Sequence, residues 1–238
     1  MAITETIPPV RCLVGSDYRR VREREPLHAM SQRFNLLADP RFESLRDALR
    51  ERIRTAAGEL DAGTFGDFLD PTMRGVVQRG FSAAGAHEGT IWLLDPVAER
   101  LVMAYNTGPN AGDIVGKHYQ PLFGETLANG TRRAPGIVSG VFLSEQPFCE
   151  NFVYRNVDHD ATLNRRLAEQ TFAMIVVPFY FAGEKRGVMS CVQLTTPGAP
   201  DPSGFPMESV MSVQFATEVL GRLLDYRLVG VSTGWLAE

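Results

Sequence analysis

The chain has 238 residues, 44% of them hydrophobic, which is enough to bury one sizeable core with an extension and rules out a disordered or fibrous protein. Its 28 acidic residues outweigh 24 basic ones, for a formal charge of −4, so no net field draws it to nucleic acid or anionic lipid. Neither partner is expected.

The first 40 residues are broken by Pro8, Pro9, Gly15, Pro26 and Pro40 and read as an arm or docking segment. Within it the stretch Arg19 to Arg24 is dense in arginine, but Glu23 and Glu25 interleave, which marks a solvated face or tail. Met1 to Val10 lacks the basic stretch and apolar core of a secretory leader. After Pro40, Phe42, Leu45, Leu49, Ile53, Ala56 and Leu60 recur at spacings of three and four, one apolar stripe of a helix, with Arg46, Arg50, Arg52 and Arg54 off it. Gly63 closes this segment. Thr64 can cap a second helix that carries Phe65, Phe68, Leu69, Met73, Val76, Val77 and Phe81. Pro71 interrupts that pattern, so Asp70 is an alternative cap with proline at the first helical position.

Thr90 to Asp95 and Arg100 to Tyr105 are strand-like and joined by Pro96-Val97-Ala98-Glu99, a hairpin pattern. Asn106 to Pro135 holds five glycines and is aperiodic; it offers at most an edge strand around Lys117 to Leu122, then a long loop of a kind that often carries function. A short helix at Gly136 to Gly140 leads into Gln146 to Phe152, a polar helix over Asp158 to Gln170, and two apolar strands, Phe172 to Phe181 and Gly187 to Leu194. Gly136 and Gly140 suit a close helix–sheet approach, Pro178 the end of a buried strand, and Gly187 the turn between the two strands; an ordinary turn residue is the alternative for each. From Pro206, residues Val210, Met211, Phe215, Val219, Leu220, Leu223, Leu224 and Leu228 give a long helix with a broad apolar face, one flank for the sheet and the other for a partner helix.

The strongest apolar run, Ala173 to Ala182, is too short to cross a bilayer and contains Pro178. Cys12, Cys149 and Cys191 are far apart and form no Cys-x-x-Cys or Cys/His spacing. Neither a disulfide framework nor a metal site is expected, and a reduced, cytoplasmic setting fits.

The stretches Gly89 to Pro96 with Arg100-Leu101-Val102, then Gly136 to Gly140, then Phe172 to Pro178, then Arg186-Gly187-Val188 with Gln193-Leu194 follow an order and spacing that resembles the GAF domain family. These are the small-molecule-binding regulatory modules of phosphodiesterases, histidine kinases, enhancer-dependent activators and phytochromes. The resemblance runs from Phe65 to Leu228. It implies an α+β fold: a central antiparallel sheet of five or six strands with helices on both faces, the first and last helices packed together on one face and the ligand cavity under helices on the other. On this reading residues 63–230 are the sensor domain, 1–62 an arm and amphipathic helix, and 231–238 a tail.

By the same resemblance the cavity would be lined by Trp92, Tyr105, Met174, Val176 and Gln193 from the strands. The covering segment would add Phe142, Phe148, Cys149, Phe152, His159, Leu163 and Thr171. Such an apolar box, with polar points at Gln193, His159, Thr171 and Cys149, suits a small planar or amphipathic molecule; simple core filling is the other reading of most of these side chains. Some relatives place redox-active thiols where Cys149 lies, but the neighbouring Glu150 would raise its pKa, which favours a silent cysteine. His159, between Asp158 and Asp160 and out of place for the haem ligand of certain relatives, reads as solvent-facing.

Departures from the family narrow the reading. An adjacent Cys-His pair for a bilin is missing, as is the Asn-Lys, Phe, Asp-Glu signature of the cyclic-nucleotide-binding members after Leu194. The methionine sulfoxide reductase relatives rely on several cysteines in the covering loop, where this chain has Cys149 alone. No kinase, cyclase, phosphate-loop or helix-turn-helix signature occurs, which places any output on a separate chain. The expectation is therefore a non-catalytic cytoplasmic regulator that binds a small molecule or protein partner, names no cofactor, and signals through its terminal helices as a homodimer. The alternatives are a thiol-dependent reductase acting through Cys149, with Cys191 as resolving partner, and a structural adaptor without a ligand.

Overall fold

The computed structural model describes residues 40–124, 134–157, 159–160, 162–167, 170–195 and 198–236. Residues 1–39, nearly all of the arm expected over the first 40, together with most of the long glycine-rich loop after the edge strand and the last two residues of the expected tail, lie outside the described residues.

Helix α1 (Pro40–Gly58) follows the stripe set out by Phe42 to Leu60. The segment splits in two: a single turn, α2 (Phe65–Phe68), which Thr64 precedes without a capping side-chain bond, comes before α3 (Pro71–Ala84). Asp70 starts α3 by accepting the Met73 amide at 2.9 Å, with Pro71 in the first turn where its missing N–H costs nothing. Gly85, in the left-handed region, ends it.

The strands are β1 (Glu88–Asp95), β2 (Arg100–Asn106), β3 (Tyr119–Pro121), β4 (Phe148–Asn151), β5 (Gln170–Phe181) and β6 (Glu184–Thr195). They form one antiparallel sheet in the order β3-β2-β1-β6-β5-β4. Between strands lie α4 (Ala111–Ile114), α5 (Ile137–Ser144) and α6 (Thr162–Leu167), and the chain closes with α7 (Met207–Thr233), ended by Gly234 in the left-handed region. The polar helix expected over Asp158 to Gln170 is thus only the six residues of α6, and β5 begins at Gln170.

Helices α3 and α7 cover one face of the sheet with the α2 turn, and α1 packs against α7; there Phe65, Met73, Val77, Phe81, Val213, Leu220 and Leu224 share one core with Ile91, Ile175, Phe179 and Met189. Each such large apolar side chain contributes about 1.5–3 kcal/mol when fully buried. A second cluster on the opposite face gathers Trp92, Leu101, Met103, Val138, Phe142, Val176 and Val188 under α5 and α4. The architecture is a GAF-like α+β fold with both chain-end helices on one side and the cover on the other.

Two turn expectations are corrected. Gly187 does not close the β5–β6 hairpin; Ala182 and Gly183, both with positive φ, do so. Gly187 instead lies within β6 opposite Leu93, where a Cβ would stand 1.8 Å from the Trp92 carbonyl oxygen, so the β1–β6 ladder closes only on glycine there. Pro178 does not end its strand but sits inside β5, past the last β4 pairing at Val176, on an open edge that tolerates proline.

Candidate functional site

A half-open cavity of about 70 Å³, counted as room for the centres of water molecules, lies between the sheet and its cover. Its floor is the sheet face opposite the terminal helices: Thr90 and Trp92 on β1, Met103 and Asn106 on β2, Thr171 and Met174 on β5, and Ser190, Val192 and Leu194 on β6. Its roof comes from Ile137 and Val138 on α5, Ile114 on α4, and the stretch from His159 to Leu167. His118, just before β3, and Gln120, within it, enter from the side, and Glu88 stands at the start of β1.

Polar groups in the floor are tied to one another. The Trp92 indole N–H donates to Ser190 Oγ at 3.0 Å, and the Asn106 amide donates to Thr90 Oγ1 at 2.9 Å while its oxygen accepts the Gly108 N–H at 2.7 Å. These bonds satisfy groups whose burial would otherwise be costly. A second chain fixes the roof. Thr171 Oγ1 donates to Asn164 Oδ1 at 2.9 Å, and Asn164 Nδ2 lies 3.1 Å from His159 Nε2, which assigns that nitrogen as acceptor and the neutral ring's proton to Nδ1. Gln120 Nε2 donates to Asp160 Oδ2 at 3.4 Å, and Asp160 Oδ1 accepts both the amide and the hydroxyl of Thr162.

The electrostatics follow from these partners. His159 is half-buried rather than solvent-facing, and burial lowers its pKa against the pull of Asp160 and Glu150, so its neutral form prevails near neutrality. Burial opposes charge on Asp160, but the Thr162 hydroxyl and amide and the imidazoles of His118 and His159 outweigh it and hold the carboxyl below the usual range. His118 also meets the Trp92 ring edge-on at 5.7 Å.

Of the twelve residues expected to line the cavity, Trp92, His159, Leu163, Thr171 and Met174 do so. Phe142 and Val176 are buried in the cluster behind it, with Phe148 packed at that cluster's margin. Tyr105, Cys149, Phe152 and Gln193 lie on the terminal-helix face, outside the cavity. Parity explains the placement. In β2 the register slips between Ile91 and Trp92, leaving Ala104 as the extra residue, so Asn106 rather than Tyr105 reaches the Met103 side. In β6, Ser190, Val192 and Leu194 take the cavity face, and Gln193 turns away to donate to the carbonyls of Gly85 and Gly204.

Cys149 and Cys191 are both buried, neither is in a disulfide, and both pair with Ile175 from opposite sides. They therefore stand two strands apart, about 9–10 Å, beyond disulfide reach of about 7 Å between Cα atoms. Burial pushes the Cys191 thiol up to about 12, away from any nucleophilic role.

Sequence reasoning missed Asn106, His118, Gln120, Asp160, Asn164 and Ser190. A pattern was present for two of them: His118, Gln120 and Leu122 are buried and alternate with exposed Tyr119 and Pro121, so polar residues occupy inward positions of an edge strand.

No protein-family model and no curated protein matches the chain. Among solved structures it is similar to the GAF domain of a phosphoenolpyruvate-protein phosphotransferase from Coxiella burnetii, at 18% identity over 79% of this chain and 96% of that one, with a TM-score of 0.49. The second GAF domain of DevS from Mycobacterium smegmatis gives 17% identity over 71% and 100%, with a TM-score of 0.45. A free methionine-R-sulfoxide reductase from Neisseria meningitidis, solved with its substrate, gives 17% over 80% and 91%, with a TM-score of 0.39.

Proposed function

We propose that this chain is a non-catalytic regulatory protein that holds a small molecule in the Trp92 cavity and passes its state to helix α7. The observation that carries the reading is a run of direct contacts from the cavity roof to that helix. Helix α5 supplies Ile137 and Val138 to the cavity, and Glu145 at its C-terminal end accepts the Tyr180 hydroxyl at 2.6 Å. Lys185 donates to the Phe142 carbonyl at 2.6 Å and to Glu145 at 3.0 Å. Tyr180 and Lys185 flank the tip of the β5–β6 hairpin, and at that tip the Ala182 N–H donates to Asp225 of α7 at 2.5 Å. Gly221 of α7 packs so close to the Tyr180 carbonyl that a Cβ would lie 2.3 Å from its oxygen. A displacement of α5 by a ligand therefore reaches α7 through packed and hydrogen-bonded groups, and a ligand that favours one arrangement shifts the helix with it.

The output of α7 is a homodimer contact. Met211, Phe215, Glu218, Arg222 and Tyr226 form one exposed stripe along the helix, with Glu218 and Arg222 paired at 2.6 Å in its middle. Run antiparallel against a second copy, the stripe is self-complementary: Phe215 meets Tyr226 and Glu218 meets Arg222 in both directions. The effector sits on a separate polypeptide in the cytoplasm, in keeping with three cysteines that form no pairing framework. Among the described residues no helix is long and apolar enough to cross a membrane.

Native mass spectrometry of the freshly purified protein tests the reading. A retained small molecule, released on denaturation and lost from a variant with Val138→Trp filling the cavity, is the expected result. Empty protein that acquires nothing from a metabolite extract overturns it.

A further inference from the structure

We infer that the floor of the Trp92 cavity receives a hydrogen-bond acceptor, and that the ligand seats a carbonyl oxygen between Thr90 and Ser190. This rests on the reading of that cavity as a ligand site and names the group by which the site holds its ligand. Thr90 and Ser190 stand directly opposite each other across the β1–β6 ladder, both line the cavity, and they are only 8% and 3% exposed. Side chains paired in this way have Cβ atoms about 4.5–5.5 Å apart.

The protein fixes the role of each hydroxyl. An indole N–H can only donate, so Ser190 Oγ accepts from Trp92 at 3.0 Å. The Gly108 N–H can likewise only donate, which assigns the Asn106 atom it meets at 2.7 Å as the oxygen and leaves the amide nitrogen to donate to Thr90 Oγ1 at 2.9 Å. Both hydroxyl oxygens are therefore acceptors toward the protein, and neither proton is given to an acceptor among the described residues. Thr171, the third hydroxyl of the described lining, differs: it spends its proton on Asn164 Oδ1. A buried O–H without an acceptor carries a desolvation cost that a ligand oxygen removes. One carbonyl oxygen has two lone pairs and can take both protons. Around the pair the walls are apolar, with Met103 and Met174 on the sheet and Ile137 and Val138 above, and the Trp92 ring is held in place by its bond to Ser190. A molecule with a carbonyl at one end of a planar apolar body fits that arrangement, whereas a hydrocarbon of the same shape leaves both protons unpaired.

The test uses two neutral probes of one shape, acetophenone and isopropenylbenzene, which carry C=O and C=CH2 at the same place. Ligand-observed NMR titration should show saturable binding of acetophenone. In Thr90→Val and in Ser190→Ala, with circular dichroism confirming the fold, affinity for acetophenone relative to isopropenylbenzene should fall by about threefold to tenfold. Thr90→Ser, which keeps the hydroxyl, should restore the parent ratio. Ser190→Ala strips the Trp92 N–H of its acceptor, and should it not fold, the Val and Ser variants at Thr90 decide. The infrared band of carbonyl-labelled acetophenone bound to the parent protein should lie below its position in hexane, as it does when the oxygen accepts hydrogen bonds, and should rise when either hydroxyl is lost. A bound band at the hexane position, or a ratio unchanged in the variants, overturns the inference and leaves the sensor reading standing. Acetophenone that does not saturate also overturns it, and the sensor reading is then decided separately by native mass spectrometry.

Discussion

Gly80 marks the closest approach of helices α3 and α7, and adding one methyl group there tests how that face of the sheet is held. A Cβ built on Gly80 would stand 2.3 Å from the Cβ of Ala216. Carbon atoms pack at about 3.5–4.0 Å, so Gly80→Ala must part the helices by more than about 1 Å. Parting them loosens Val77 and Phe81 from Val213 and Leu220 in the same cluster. Overpacking of this kind costs about 1–3 kcal/mol, and replacing a helical glycine by alanine returns up to about 1 kcal/mol. The balance is a loss of about 1–2 kcal/mol, or a fall in Tm of about 2–8 °C for a chain of this size. Gly75 lies on the same helix, but its added Cβ would meet only the guanidinium end of Arg79, at 3.5 Å. Gly75→Ala should therefore stabilise by about 0.5–1 kcal/mol, and urea midpoints measured side by side should move in opposite directions. Ala216→Gly placed on Gly80→Ala should recover most of the loss, as a double-mutant cycle reads directly. Equal effects of the two glycine substitutions, or no recovery with Ala216→Gly, would refute the close approach.

Asp225 gives a pH dependence of opposite sign to the usual carboxylate. Burial raises its pKa although the Ala182 N–H lowers it, so its contribution is full below the unfolded-state value and is lost as pH rises through the folded one. Asp225→Asn keeps an acceptor for Ala182 and removes the buried charge, so the urea midpoint should rise at about pH 7.5 and change little at about pH 3; a rise of equal size at both would show that charge is not the cause. The cysteine geometry predicts that peptide mapping after mild oxidation finds no Cys149–Cys191 crosslink, and that Cys191 resists thiol reagents at about pH 8 until the protein unfolds. Rapid labelling of Cys191 in the folded state would contradict that burial. Phe215→Glu places a charge in the exposed stripe of α7 and should leave a monomer by light scattering where the parent chain is a dimer, with an unchanged urea midpoint at low concentration. An unchanged mass would remove α7 as the contact.

The helices of the terminal-helix face and the two long strands were legible because each depends on local information. The stripe from Phe42 to Leu60, the Asp70-Pro71 start and the apolar run of β5 state their period and their ends within a few residues. The antiparallel sheet with helices on both faces came from family resemblance, and the strand order was not legible, since β6 beside β1 pairs Glu88 with Val192 across about a hundred intervening positions. Gly187 shows the limit of the local view. Read by itself it is a turn residue, and only its approach to the Trp92 carbonyl, which belongs to another strand, reveals why glycine is there.

The cavity was less legible for a reason that also bears on how it stays open. Facing is set by a period of two, and a bulge reverses it for everything beyond. Strict alternation from Met103 would send Tyr105 into the cavity, and strict alternation back from Met174 would send Phe172 there. The extra residue at Ala104 turns Tyr105 onto Ile91 and the terminal-helix cluster and brings in Asn106. The register shift between Thr171 and Ala173 does the same at β5, where Phe172 joins Phe152 in the terminal-helix cluster at 4.9 Å between ring centres and Thr171 reaches the cavity. Each bulge thus withdraws an aromatic ring from the cavity and substitutes a short polar side chain, and the two hydrogen-bond partners so introduced, Asn106 to Thr90 and Thr171 to Asn164, anchor the floor and the roof respectively. Two irregularities in strand pairing account at once for the space between sheet and cover, for its polarity, and for the failure of alternation to find it.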